Sequence, residues 1–197
     1  MFFKCDRHPR TVGAEIDFLN WIQDTMSCGF MDGAMSFLSL SVTANIIWMV
    51  LGVCFLYKRR TRTMGAVLLL ALGIGMLLGN GIIKNIVERP RPFMDYPFEL
   101  VIGDPTGWSF PSGHTTGAFA AATAVFLFRR RLGLCMYGYA ALVAFSRMYL
   151  YVHYPTDILG GIVLGVFSAL LAYCVVKKYL LKYTEPHGRP EGQQDPQ

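Results

Sequence analysis

For most of its length this chain shows neither strict alternation nor a three-to-four-residue apolar period; its apolar positions run together. Apolar segments occupy 34–57, 64–83, 115–128, 132–146 and 158–176. Four of them are long enough, alone or with flanking helix, for the roughly 20 residues that carry a helix across a bilayer. The third reaches that length only if its helix begins at Ser112 and ends near Arg130. A soluble fold would need an outsized core to hide five such helices. The pattern therefore predicts an all-α, polytopic membrane bundle of five transmembrane helices.

Upstream the pattern changes. Between Ala14 and Phe30 the residues Phe18/Leu19, Ile22, Met26 and Phe30 fall at helical spacing, but Glu15, Asp17 and Asp24 make the segment too polar for a comfortable span. It reads as an N-terminal amphipathic helix lying in the membrane interface. The competing reading is a sixth, packed-in span, which would move the N-terminus to the cytoplasm. The one long loop is Arg89–Phe110, where prolines at 90, 92, 97, 105 and 111 forbid a continuous helix. The organisation expected is a tail and interfacial helix over 1–31, a membrane-embedded domain over 32–182, and a disordered cytoplasmic tail over 183–197. Residues 1–13 are expected to fray. Gly75/Gly79 and Gly161/Gly165 are small-xxx-small pairs that let helices approach closely within a bundle.

Composition agrees. Apolar residues make up 53% of the chain and charged residues 16%, against roughly 25% charged in ordinary soluble domains. The net charge of +5 could suggest nucleic acid, but its distribution argues for topology. Lys58, Arg59, Arg60 and Arg62 separate the first two apolar runs; Arg129, Arg130 and Arg131 separate the third and fourth; Lys177, Lys178, Lys182 and Arg189 follow the fifth. Alternation puts these eleven of the 18 Lys and Arg on one side, which the positive-inside rule assigns to the cytoplasm. No aromatic interleaving of the nucleic-acid-binding kind accompanies them. Segments 84–114 and 147–157 then face outside. The five cysteines are isolated. Cys54, Cys135 and Cys174 read as small apolar residues, and Cys5 and Cys28 would both lie outside, where they could pair. No cleavable signal peptide is visible near the start.

The outward-facing segments hold the candidate chemistry. Lys84 follows a long apolar run and Arg91 comes seven residues later, a spacing that puts two side chains on one helix face, although Pro90 and Pro92 imply that the helix ends there. A lone Lys84 would be a snorkelling headgroup contact. Arg89 is expected to point elsewhere, to Glu88, lipid phosphate or water. Pro111-Ser112-Gly113-His114 precedes the third run: Ser112 is a favoured N-cap, Gly113 permits close backbone approach, and first-turn amides bind anions. Arg147 sits within the outer end of the fourth span, where a charge is costly unless paired or functional. His153 and Asp157 are four residues apart, so the carboxylate can fix one imidazole tautomer and leave the other nitrogen free to attack. Each feature alone has a bland explanation: capping, snorkelling, or a satisfied interfacial histidine.

Taken together, Lys84-x6-Arg91-Pro92, Pro111-Ser112-Gly113-His114 and Ser146-Arg147-x5-His153 resemble the motif set of the type-2 phosphatidic acid phosphatase superfamily of membrane phosphatases, complete and in order, with Asp157 matching its usual downstream partner. The resemblance implies a catalytic set of His153, His114 and Asp157 and a phosphate-binding set of Lys84, Arg91, Ser112, Gly113 and Arg147. His153 would attack phosphorus to give a phosphohistidine, Asp157 would stabilise the imidazolium, and His114 would protonate the leaving oxygen. Three fixed cations would supply the charge stabilisation that phosphoryl transfer requires, so neither metal nor cofactor is expected. The chain looks like the short bacterial members, and the expected substrate is a polyprenyl diphosphate such as undecaprenyl diphosphate, with phosphatidic acid or phosphatidylglycerol phosphate as runner-up. The expected partners are substrate and membrane lipids, not nucleic acid; an oligomer is possible but not indicated. A protein that binds or transports anionic lipid without catalysis is the alternative from another class.

Overall fold

The computed structural model describes residues 13–42, 45–96, 98–103 and 105–184, with side chains to 179. Cys5, and so its pairing with Cys28, lies outside these residues, as do the expected frayed N-terminus up to residue 12 and the tail beyond Thr184. Helices follow in the order α1 (Gly13–Met26), α2 (Gly29–Ser41), α3 (Ile46–Tyr57), α4 (Arg62–Met76), α5 (Lys84–Val87), α6 (Pro92–Asp95), α7 (Gly113–Phe126), α8 (Arg130–Tyr149) and α9 (Pro155–Thr184). A π-helical segment, Leu77–Ile83, joins α4 to α5. There is no strand among the described residues.

Two stretches, Arg59–Asp95 (continuous helix to Val87) and Pro155–Tyr179, are long and apolar enough to cross a membrane. The α2–α3 pair, bent by 47°, makes a third if taken as one broken span. Helix α7 ends at Phe126 after 14 residues, short of the Arg130 its sequence suggested. It is the enclosed centre of the bundle, packed by α4, α8 and α9. Its alanines explain this: Ala118, Ala120, Ala121, Ala122 and Ala124 are all fully buried. Small side chains let neighbouring helices close on it where lipid offers no hydrophobic driving force.

The glycine pairs mark those contacts. A Cβ on Gly165 would lie 2.5 Å from the Thr116 carbonyl, and one on Gly161 2.9 Å from the Ser112 carbonyl. On α4 a Cβ at Gly75 would meet Thr116 at 3.1 Å, and in the π segment one at Gly79 would meet Leu164 at 3.1 Å. The order of these contacts makes α9 run parallel to α7, and α4 antiparallel to both. The C-terminal end of the α4–α5 rod, the start of α7, the end of α8 and the start of α9 therefore meet at one end of the bundle. The basic clusters at 58–62, 129–131 and 177–178 lie at the other.

Helix α1 is 14 residues, about 21 Å long against a hydrocarbon core of about 30 Å. It is shorter than the expected Ala14–Phe30 element, because the helix breaks at Ser27–Cys28 and Phe30 belongs to α2. Its buried face is Ile16, Leu19 and Ile22, while Phe18 stacks on Trp21 on the exposed side. Phe18 and Phe30 are both exposed, which corrects the apolar face read from spacing. The buried face seats on the α8–α9 connection. Asn20 accepts a hydrogen bond from the Tyr151 hydroxyl (2.8 Å), and Gln23 donates to the Tyr149 carbonyl. Phe98 stacks on Tyr151 at 4.4 Å, closing the loop over the same connection. Among the described residues Cys28, Cys54, Cys135 and Cys174 form no disulfide with one another.

Candidate active site

At the end of the bundle where the four helix termini meet lies a cavity of about 300 Å³. Lys84, Arg91, His114, Arg147 and His153 line it, together with Gly113, Asn80 and Thr106. Six of the eight residues singled out in the sequence thus share one space. Ser112 and Asp157 lie behind its wall.

Lys84 and Arg91 reach the cavity by different routes. The rod ends at Val87, and Glu88 turns the chain with a left-handed backbone (φ 47°, ψ 36°). Arg91 then enters from extended backbone (φ −84°, ψ 155°) as the N-cap of α6. The two cations do not share a helix face; the prolines had signalled this break, and it overrides the seven-residue spacing. The Arg91 guanidinium donates to the carbonyls of Gly107 (2.8 Å), Val152 (3.1 Å) and Thr106 (3.2 Å), and its Nη1 lies 3.4 Å from His153 Nε2. Arg147 is 2% exposed; it donates to the Ser39 hydroxyl, and its buried Nε has no partner among the described residues. Among the described residues neither guanidinium makes an ion pair with a carboxylate, and buried cations held by carbonyls and hydroxyls keep their charge available to an anion.

Ser112 occupies the N-cap position of α7, but its hydroxyl makes no cap bond. The hydroxyl is fully buried and accepts from Thr115 Oγ1 at 3.0 Å, while the Ser112 amide donates to the Asp157 carbonyl at 3.1 Å. Side-chain capping is corrected: the hydroxyl bonds within the first turn, and the Ser112 amide ties α7 to α9. Gly113 presents the first-turn backbone to the cavity, with Asn80 close by, 3.4 Å from where a Cβ would stand.

His153 is 1% exposed and sits between two polar groups. Nε2 faces Arg91, and Nδ1 lies 3.5 Å from Asp157 Oδ2. The Ser109 hydroxyl bridges that gap, 2.5 Å from Oδ2 and 3.3 Å from Nδ1. Oδ2 also accepts from the Tyr154 amide at 2.8 Å. An acceptor beside Nδ1 puts the proton there and leaves the Nε2 lone pair on the side of Arg91. Burial pushes the His153 imidazole down to about 3; Asp157 works against this, and Arg147 and Arg91 add to it.

Two participants escaped the sequence reading. Ser109 stands two residues before Pro111, in Trp108-Ser109-Phe110, and only its position in space distinguishes it from an ordinary loop serine. Arg89 turns away from Glu88: it donates to Asp157 Oδ1 at 2.8 Å and pairs with Glu15 at 2.6 Å, which corrects the expected Glu88 contact.

An all-helical bundle whose helix ends gather three cations and two imidazoles around one cavity has the build of a membrane-embedded phosphatase. The chain belongs to the PAP2 superfamily, whose family model matches residues 64–180. It is 35% identical over 101 residues to the undecaprenyl-diphosphatase BcrC of Bacillus subtilis, a match covering 51% of this chain and 52% of that protein, about half its length. It is 31% identical over 147 residues to an undecaprenyl-diphosphatase of Sulfolobus acidocaldarius, covering 72% and 69%. Among solved structures, a PAP2-type phosphatidylglycerolphosphate phosphatase from Bacillus subtilis superposes with a TM-score of 0.64 at 25% identity, covering 88% of this chain and 90% of that one.

Proposed function

We propose that this protein is an integral membrane lipid phosphatase that converts undecaprenyl diphosphate to undecaprenyl phosphate and inorganic phosphate at the outer membrane surface. One observation carries the reading: His153 lines one cavity with Lys84, Arg91 and Arg147, its Nε2 facing Arg91 and its other nitrogen backed by Asp157. In the first step Nε2 bonds to the terminal phosphorus as the bridging P–O bond breaks. His114 gives its proton to the departing oxygen, while Asp157 stabilises the imidazolium. In the second step His114 takes a proton from water, which attacks the phosphohistidine; the P–N bond breaks, phosphate leaves and His153 is restored. Lys84, Arg91, Arg147 and the Gly113 amide hold the phosphoryl oxygens throughout. Ser112 supports this set from behind by tying α7 to α9. The cations take the role a metal has in other phosphatases, so turnover should proceed in EDTA.

The membrane arrangement proposed with this is five spans, namely α2–α3, the α4–α5 rod, α7, α8 and α9, with α1 on the interface. The basic end of the bundle faces the cytoplasm. A lipid phosphate at headgroup level then reaches the cavity laterally.

The two undecaprenyl-diphosphatase relatives favour a diphosphate substrate. The solved phosphatidylglycerolphosphate phosphatase keeps a phosphomonoester lipid as the second reading. Phosphate release from detergent-solubilised undecaprenyl diphosphate, phosphatidic acid and phosphatidylglycerol phosphate, with EDTA present, separates them. The expected result is fastest turnover on the diphosphate. Faster turnover on a monoester would move the assignment to the second reading, strict magnesium dependence would contradict the mechanism, and lipid binding without phosphate release would point to a non-enzyme.

A further inference from the structure

Arg89 and Glu15 do not line the cavity, yet both bear on the carboxylate behind it. Arg89 Nη1 donates to Asp157 Oδ1 (2.8 Å) and to the Thr156 hydroxyl (2.6 Å), and Nη2 pairs with Glu15 Oε2 (2.6 Å). The other Glu15 oxygen accepts from the Thr156 amide (3.0 Å) and hydroxyl (2.7 Å). The guanidinium lies 3.9 Å over the Tyr154 ring. Arg89 is therefore held from three sides, by α1, by the first turn of α9 and by an aromatic face. A planar fork so fixed dictates the plane of any carboxylate it pairs with.

We propose that Glu15 and Arg89 form a positioning relay for Asp157, which makes α1 part of the catalytic apparatus. With Oδ1 occupied by Arg89, only Oδ2 remains for Ser109, the Tyr154 amide and His153 Nδ1. Asp157 is fully buried, and without its guanidinium partner its charge would be poorly compensated and its orientation free. Glu15 in turn draws Arg89 outward, so that the guanidinium does not spend its whole charge on the carboxylate the imidazole needs. This inference rests on the proposed reading of His153 as nucleophile and Asp157 as its partner.

The relay acts through Asp157 alone and touches no substrate, which sets its test. Steady-state phosphate release from undecaprenyl diphosphate by the full chain in detergent gives kcat and KM for Arg89→Gln, Arg89→Lys, Glu15→Gln, Asp157→Asn and the Arg89→Gln/Asp157→Asn double variant. Arg89→Gln is expected to lower kcat about tenfold, as for loss of one charge-assisted hydrogen bond, with KM little changed and partial recovery in Arg89→Lys. Glu15→Gln, on a half-exposed side chain, should lower kcat more modestly and carries the test if Arg89→Gln fails to fold. In the Asp157→Asn background Arg89→Gln should cost nothing further. Additive losses, wild-type kcat in Glu15→Gln, or an effect confined to KM would overturn the relay. Full activity in Asp157→Asn would instead overturn the reading beneath it.

Discussion

Asp157 takes hydrogen bonds from Arg89, Ser109 and the Tyr154 amide, and its Oδ2 stands 3.5 Å from the His153 ring. Replacing it with Asn keeps the shape but lets the amide donate where it must accept. By comparison with the serine-protease triad, that substitution is expected to cost on the order of 10⁴-fold in kcat. His153→Ala should abolish turnover while lipid binding persists, because the cations remain; a variant that still releases phosphate would exclude this nucleophile. Acid sensitivity of the fold follows from the same imidazole. Folded His153 stays neutral down to about pH 3, whereas in the unfolded chain it protonates near its ordinary 6.5. Between those values the unfolded state binds more protons, so stability present above pH 6.5 is lost as pH falls, by up to about 1.4 kcal/mol per pH unit. Thermal midpoints in detergent from pH 7 to 4 should therefore drop less steeply in His153→Gln than in the parent. At the surface, burial raises the Glu15 carboxyl, but the Thr156 hydroxyl and amide and Arg89 outweigh it and hold the group below its usual value, charged at any pH where the enzyme would work.

Among the helices, close approach decides where the site residues stand. Gly165 faces the α7 backbone, with the Thr116 carbonyl 2.5 Å and the Ala120 amide 2.9 Å from a would-be Cβ. Neither neighbour is a flexible side-chain end, so Gly165→Ala must push α9 off α7. The expected cost is about 1–3 kcal/mol, read as a lower thermal midpoint together with reduced kcat, since α9 carries Asp157 and α7 carries His114. At Gly73, where a Cβ meets nothing, the same substitution should leave both unchanged. The packing role of Gly161 and Gly165 was legible from their spacing. The length of α7 was not: its apolar run continues past Phe126, but the chain must turn there so that Gly133 can pass the α7 end, where a Cβ would lie 2.3 Å from Phe126 Cα.

On the scale of the whole molecule, the antiparallel course of α4 against α7 and α9 separates a cavity end from a basic end. If the basic end is cytoplasmic, then in a variant with the five native cysteines replaced by serine, a cysteine placed at exposed Val101 should react with a membrane-impermeant thiol reagent added outside intact cells, and one at exposed Arg130 should not. The reverse pattern would invert the proposed topology. By itself the sequence determined that the chain is a helical membrane protein of this superfamily, and which residues carry its motifs, because run length and residue identity are local properties. Only the tertiary structure decided which residues meet. Arg89 finds Glu15 across 74 positions and Ser109 finds Asp157 across 48, contacts that depend on how α1 and the long loop seat on the helix ends. No spacing within either segment encodes such a meeting, so Arg89, Ser109 and Glu15 stayed hidden until the chain was folded.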